Sequence, residues 1–308
     1  MTVLKIAIVV FVVIVGFFYV KASNFTPFIP PSQPAAATTG DGAVSAQMAQ
    51  PLWQWATGMT PSIYGVPGIL SGAALVFFAF LGFDVVATAS EETKNPHKNV
   101  PLGIGVGMLL IIVMYMLVAI VTTGMVSYKD LAKQDSPSLA TAFELVGADW
   151  AAKIISFGIV LGLATVIMVL LLGLTRIVFA MSRDGLLPRG LSKTGKHGTP
   201  AVLQIVVGVV VALVAALFDI GVLSDMVNIG TLSAFIIVSA GILWMRKTQP
   251  DAHRGFRAPG VPFTPICAII FCFILICGLN WETWVRFAIW FALGLIVYFV
   301  YSRKHSAL

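Results

Sequence analysis

A carboxylate and a glycine interrupt an apolar run in the stretch FFAFLGFDVVATASEETKNPHKNVP, from Phe77 to Pro101. They are Asp84 and Gly82. A carboxylate at bilayer depth costs about 2.5–3.5 kcal/mol on insertion scales, so it is rare there and marks function. Glycine weakens a helix by about 1 kcal/mol relative to alanine. Together they predict non-helical backbone within Ala79 to Asp84. Lipid tolerates broken helix only where it lines a cavity or packs in protein. Secondary transporters bind substrate at such discontinuous spans. Asp84 has two open readings: it caps the inner half-helix, as Asp favours the N-cap position, or it titrates and touches substrate.

Other chemistry is sparse. Lys5 is a lone ammonium in the first apolar run. Its bland reading is a side chain that snorkels to the interface. Cys267, Cys272 and Cys277 recur at steps of five, which scatters them around a helix, so neither a disulfide nor a metal site follows. The four histidines fall in loops or the tail. No HExxH, GxSxG or P-loop lysine motif occurs, so an enzyme is not expected. No cofactor is expected either.

The elements that position these residues are membrane spans. The chain has 308 residues, 58% hydrophobic and 10% charged, with mean hydropathy +0.96. Soluble domains carry about 25% charged residues. The net charge of +6 sits in short loops and sets orientation, with no implication for nucleic acid. The expected fold class is all-α and polytopic, one transmembrane domain of about eight spans. These cover residues 3–20, 69–90, 102–126, 151–181, 201–218, 224–244, 263–279 and 284–301. Residues 21–68 read as a long, irregular extracellular loop rich in Pro, Ala, Thr and Gly. In it, Trp53 and Trp55 are expected at the interface, and Asn24-Phe25-Thr26 is read as a chance sequon. The basic loops alternate with acidic ones, which puts both termini in the cytoplasm of a multi-pass plasma-membrane protein.

Three stretches carry a resemblance. FFAFLGFDVVATASEETKNPHKNVPLGI resembles the sixth helix and following loop of amino-acid permeases in the amino acid–polyamine–organocation superfamily. TRIVFAMSRDGLLP resembles the end of the family's eighth helix, and FRAPGVPFTPI the loop into its eleventh. The nearest branch resembles the bacterial cationic amino acid transporters. The family has about twelve spans on the LeuT-type fold of two inverted repeats. This chain resembles helices five to twelve: a partial LeuT-type fold with the second repeat and two trailing helices.

The resemblance implies secondary, proton-coupled amino acid transport. It implies that the carbonyls of Phe78, Ala79 and Leu81 receive the substrate ammonium, that Gly82 permits the unwinding, and that Phe78 gates the substrate. The plain alternative for these aromatics is lipid-facing packing. Lys5 matches a lysine that replaces a sodium ion in sodium-coupled relatives, with the proton as coupling ion. Thr165 would supply a facing hydroxyl. The glycine-rich first broken helix is outside the match. The implied partners are an amino acid, the lipid bilayer and a separately encoded N-terminal half, with the chain inactive alone. The alternative is a non-transporting membrane subunit or half of a split transporter.

Overall fold

The computed structural model describes residues 2–34, 50–58, 62–83, 86, 93–134, 137–192, 200–251, 256 and 258–306. Eight apolar helices dominate it. They are α1 (Thr2–Phe17), α2 (Gly65–Val76), α3 (Pro96–Met125), α4 (Asp149–Arg183), α5 (Ala201–Leu217), α6 (Ile220–Thr248), α7 (Phe263–Cys277) and α8 (Trp281–Val297). Four helical runs are long and apolar enough to cross a membrane: α3, α4, α6 and the run Trp281–His305. The other four are shorter. At 1.5 Å per residue, the 17 residues of α5 reach about 25 Å, against a hydrocarbon core of about 30 Å. Apolar side chains cover their outer faces: Leu109, Met168, Val202 and Phe271 are all largely exposed, as a chain solvated by lipid requires.

The helices extend differently from their expected spans. α6 begins at Ile220 and α8 at Trp281, earlier than their apolar cores. In the second span the α-helix starts at Gly65 and ends at Val76, and residues 84, 85 and 87–92 lie outside the described residues. The loop 21–68 is not wholly irregular. Gln33–Pro34 pairs antiparallel with Ser62–Ile63, and Leu52–Thr57 forms a short helix.

The chain folds as two compact units. The first holds residues 1–29 and 85–173. Its core is Val12, Val121, Met125, Phe143, Ala151 and Ile155 with neighbouring alanines. Glycines let its helices approach closely. A Cβ on Gly16 would meet Met125 Sδ at 2.8 Å, and one on Gly124 would meet Val20 Cγ1 and the Phe25 ring at 2.8 Å. Small residues serve this purpose where no hydrophobic effect drives helices together. The last carbonyls of α3 have no intrahelical partner. The Gly124 carbonyl is satisfied by the Lys21 N–H at 2.9 Å and by Asn24 Nδ2 at 2.8 Å. That bond occupies the nitrogen a glycan would need, which gives Asn24 a structural role.

The second unit holds residues 30–84 and 174–308. Its core is Ala74, Ile229, Leu232, Ile276 and Leu279, where α2, α6 and α7 meet. The segment 50–57 is seated on the turn between α7 and α8. Leu52 N–H donates to Leu279 O at 3.0 Å, Trp281 N–H donates to Gln50 O at 2.9 Å, and Trp55 stacks on Trp281 at 4.5 Å. At the other end of α8, Ser302 Oγ donates to Leu186 O at 2.7 Å and holds the C-terminal turn to the segment after α4.

Two glycines give opposite expectations. Gly124→Ala forces a methyl into Val20 and Phe25 and should destabilise the fold by about 1–3 kcal/mol. Gly162→Ala meets nothing within 4 Å and should be neutral or stabilising by up to about 1 kcal/mol. Unfolding midpoints of the purified variants check the contrast.

Candidate functional site

The site is built around the end of α2. Its α-helix stops at Val76, and Phe77–Phe80 tightens into a 3₁₀ turn. The Leu81 N–H reaches Phe78 O at 3.2 Å, one residue short of the partner an α-helix would give it. Leu81 then turns extended (φ −62, ψ 144) and Gly82 takes φ +108. The φ of Gly82 is costly for any residue with a Cβ, whereas the space around it is open. Glycine is needed there for its backbone.

Aromatic side chains bracket the break. Phe77, just before it, meets Phe235 of α6 edge-on at 6.1 Å. Phe83, just after it, meets the same ring at 5.4 Å. One residue of α6 thus holds both sides. Phe78, the expected gate, is 44% exposed and is not part of this cluster. α2 is also tied to α6 by a polar contact: Asn228 Nδ2 donates to Leu75 O at 3.3 Å. Asn228 is just over two turns inside α6 and completely buried.

Chemically, the break presents the carbonyl end of a helix inside an apolar segment. That end carries partial charge of about −0.5. A carbonyl oxygen has two lone pairs, so Phe78 O keeps one after accepting from Leu81. Such an end suits a cation or an ammonium group. Of the five residues expected to bind substrate, Phe78, Ala79, Leu81 and Gly82 are brought together at this turn. Asp84, and the inner half of the expected second span apart from Val86, lie outside the described residues, as do His197 and His253.

Lys5 and Thr165 belong to the first unit. Ile8 of α1 packs into the space over Gly158 of α4, and Phe11 meets Trp150 edge-on at 5.8 Å. The two helices therefore run antiparallel, with Lys5 about level with Gly162. Thr165 lies one turn further along. Its hydroxyl donates to Gly162 O at 2.8 Å, within its own helix. No hydrogen bond joins Lys5 to Thr165 among the described residues. A pocket of about 530 Å³ in the same unit is lined by Lys21, Asn24, Asp130 and neighbouring apolar residues, and contains neither. Among the described residues no cluster of three or more His, Cys, Asp or Glu could hold a metal.

Sequence reasoning passed over Asp225 and Thr283, whose side chains meet at the start of α6 and α8. The signal for Asp225 was the one used for Asp84, a carboxylate in an apolar helix.

Comparison with known proteins places these features in a family. The profile described as "Amino acid permease" matches residues 1–301. The chain is 42% identical to the branched-chain amino acid permease BcaP of Bacillus subtilis (strain 168) over 309 aligned residues, covering 100% of this chain and 59% of that protein. It is 40% identical to the methylthioribose transporter of the same organism, over 99% of this chain and 59% of that protein. It is 41% identical to the vacuolar cationic amino acid transporter 4 of Arabidopsis thaliana, over 61% of this chain and 31% of that protein. The chain thus spans about three fifths of the length of its first two relatives. A profile matched over nearly the whole chain, and close relatives that are transporters by name, show that this polytopic membrane protein belongs to the amino acid permease family and is not an enzyme.

Proposed function

We propose that the chain supplies the ammonium-binding portion of a secondary amino acid permease, on a partial LeuT-type fold with both termini in the cytoplasm and its home in the plasma membrane. The observation that carries this reading is the break at Leu81–Gly82, inside an apolar helix of a permease-family chain. Carbonyls at the end of α2 receive the substrate ammonium, and the Phe77–Phe235–Phe83 cluster holds the two sides of the break in register. Asp84 follows as cap or as titrating group. The proton is the coupling ion, and Lys5, on the helix that packs against α4, carries it. Side-chain selectivity stays open, because the relatives' names span branched-chain and cationic amino acids and methylthioribose.

Transport requires the stretch that completes the family's length, encoded with this chain or separately. The competing reading is a non-transporting membrane subunit. The chain covers only 59% of its first relatives, which keeps that reading in play. Liposomes holding the 308-residue chain alone are expected to show no saturable amino acid uptake. Liposomes that also hold the complementary portion of BcaP are expected to show it. Stereospecific uptake by the chain alone, or none in either case, overturns the proposal. Methylthioribose belongs among the tested solutes.

Two variants test the parts in the complemented system. Gly82→Ala leaves the local space open but asks alanine to hold φ +108, which costs at least about 1–2 kcal/mol. Uptake should fall about tenfold or more at unchanged membrane expression. Wild-type uptake in this variant removes the turn from the mechanism. Lys5→Ala should flatten the dependence of uptake on pH; an unchanged pH profile leaves Lys5 as a snorkelling side chain.

A further inference from the structure

Oxygen acceptors of the second unit gather where α6 and α8 begin. Asp225 and Asn228 stand three residues apart on α6 and are neighbours on one face. Thr283, completely buried in the first turn of α8, donates its hydroxyl to Asp225 Oδ2 at 3.3 Å. Asn228, also completely buried, spends its Nδ2 on Leu75 O. Its Oδ1 is buried too, and no donor among the described residues reaches it. A buried acceptor left without a partner costs about 1–3 kcal/mol. Native structures seldom leave one so, and each case points to a water, an ion or a ligand.

The charges around this group do not balance. Arg286 is ion-paired with Glu282, one turn away on α8. Those two are the charged groups that act on Asp225. When Asp225 is ionised, one guanidinium faces two carboxylates, and one negative charge is left over. Thr283 has given its only proton to Asp225 but keeps acceptor capacity. The set is a carboxylate, an amide oxygen and a hydroxyl; the Leu75 carbonyl beside them already accepts from Asn228 Nδ2 and from the Phe77 N–H. All are oxygens, the ligand type that hard cations and N–H-bearing ammonium groups select.

We propose that Asp225, Asn228 and Thr283 form a binding site for one monovalent cationic group, an alkali ion or a primary ammonium. The site stands on side-chain geometry and does not rest on the uptake reading. It can bind in a chain that transports nothing, and transport can persist without it.

The test uses the purified 308-residue chain in detergent. Its unfolding midpoint is followed while sodium chloride, potassium chloride or ethylammonium chloride replaces choline chloride at constant ionic strength. Choline carries charge but no N–H. A ligand that binds only the folded chain raises the midpoint in a saturable way. A saturable rise with sodium or potassium identifies an alkali ion; a rise with ethylammonium alone identifies an ammonium. Asp225→Asn keeps the shape and removes the charge, and should weaken binding at least about tenfold. Thr283→Val removes one acceptor and serves if Asp225→Asn does not fold; it should weaken binding as well. No stabilisation beyond choline in the wild-type chain overturns the proposal. So does an unchanged binding curve in the folded variants.

Discussion

Inside a bilayer no water is available to a backbone polar group, so each N–H and C=O must find its partner within the protein. The rest of this structure follows from that constraint. It is why apolar runs become helices, and why a helix that stops must stop against something. α3 ends where Lys21 and Asn24 meet the Gly124 carbonyl. α2 stops in mid-run, and there the accounting is denser. Leu81 turns back to Phe78, and Asn228 reaches across from α6 to Leu75. These bonds support the break, and a Cβ on Gly82 would meet no described atom within 4 Å.

The same constraint assigns different tasks to the glycines. Gly16, Gly124 and Gly158 lie within helices of the first unit, and each leaves a hollow for a side chain of a neighbouring element. Gly82 fills no such role. It sits in open space and is needed for a φ that other residues avoid. A glycine in an apolar span thus has two distinct meanings, packing and unwinding. Geometry separates them, because one shows a crowded Cβ position and the other a positive φ.

Much of this was legible in the chain before its structure. An apolar run holding both Gly82 and Asp84 indicated the break, since each residue is costly in an unbroken span and the two lie two positions apart. The eight apolar runs were legible from hydropathy and each holds a helix, four of them long enough to cross a membrane. Their ends were not: α6, for example, runs from Ile220 to Thr248, past the expected 224–244 at both ends. Four phenylalanines stand near the break, Phe77, Phe78, Phe80 and Phe83, and sequence cannot say which ring turns inward. The structure turns Phe77 and Phe83 onto Phe235 and leaves Phe78 partly exposed. Partners distant in sequence, such as Asn228 and Leu75, left no local signal at all.

An amino acid brings two charges, and the second unit answers only one of them well. The end of α2 offers carbonyls. Asp225, the Asn228 amide oxygen and the Leu75 carbonyl are acceptors too. Several nearby donors are committed: Thr283 to Asp225, Asn228 Nδ2 to Leu75, and Trp284 Nε1 to Ile276 O, while the Arg286 guanidinium already has its charge paired with Glu282. In this unit, among the described residues, Trp53 Nε1 is the buried side-chain donor left without a partner. One indole N–H cannot match two carboxylate oxygens, which helix N-termini satisfy with several backbone N–H groups at once. A carboxylate left unmatched in a dry site costs several kcal/mol, and about 1.4 kcal/mol is a factor of ten in affinity. A site made from this unit alone would therefore hold an amine far better than a zwitterion. In the proposed reading the carboxylate half of recognition belongs to the part of the family's length that this chain does not align with.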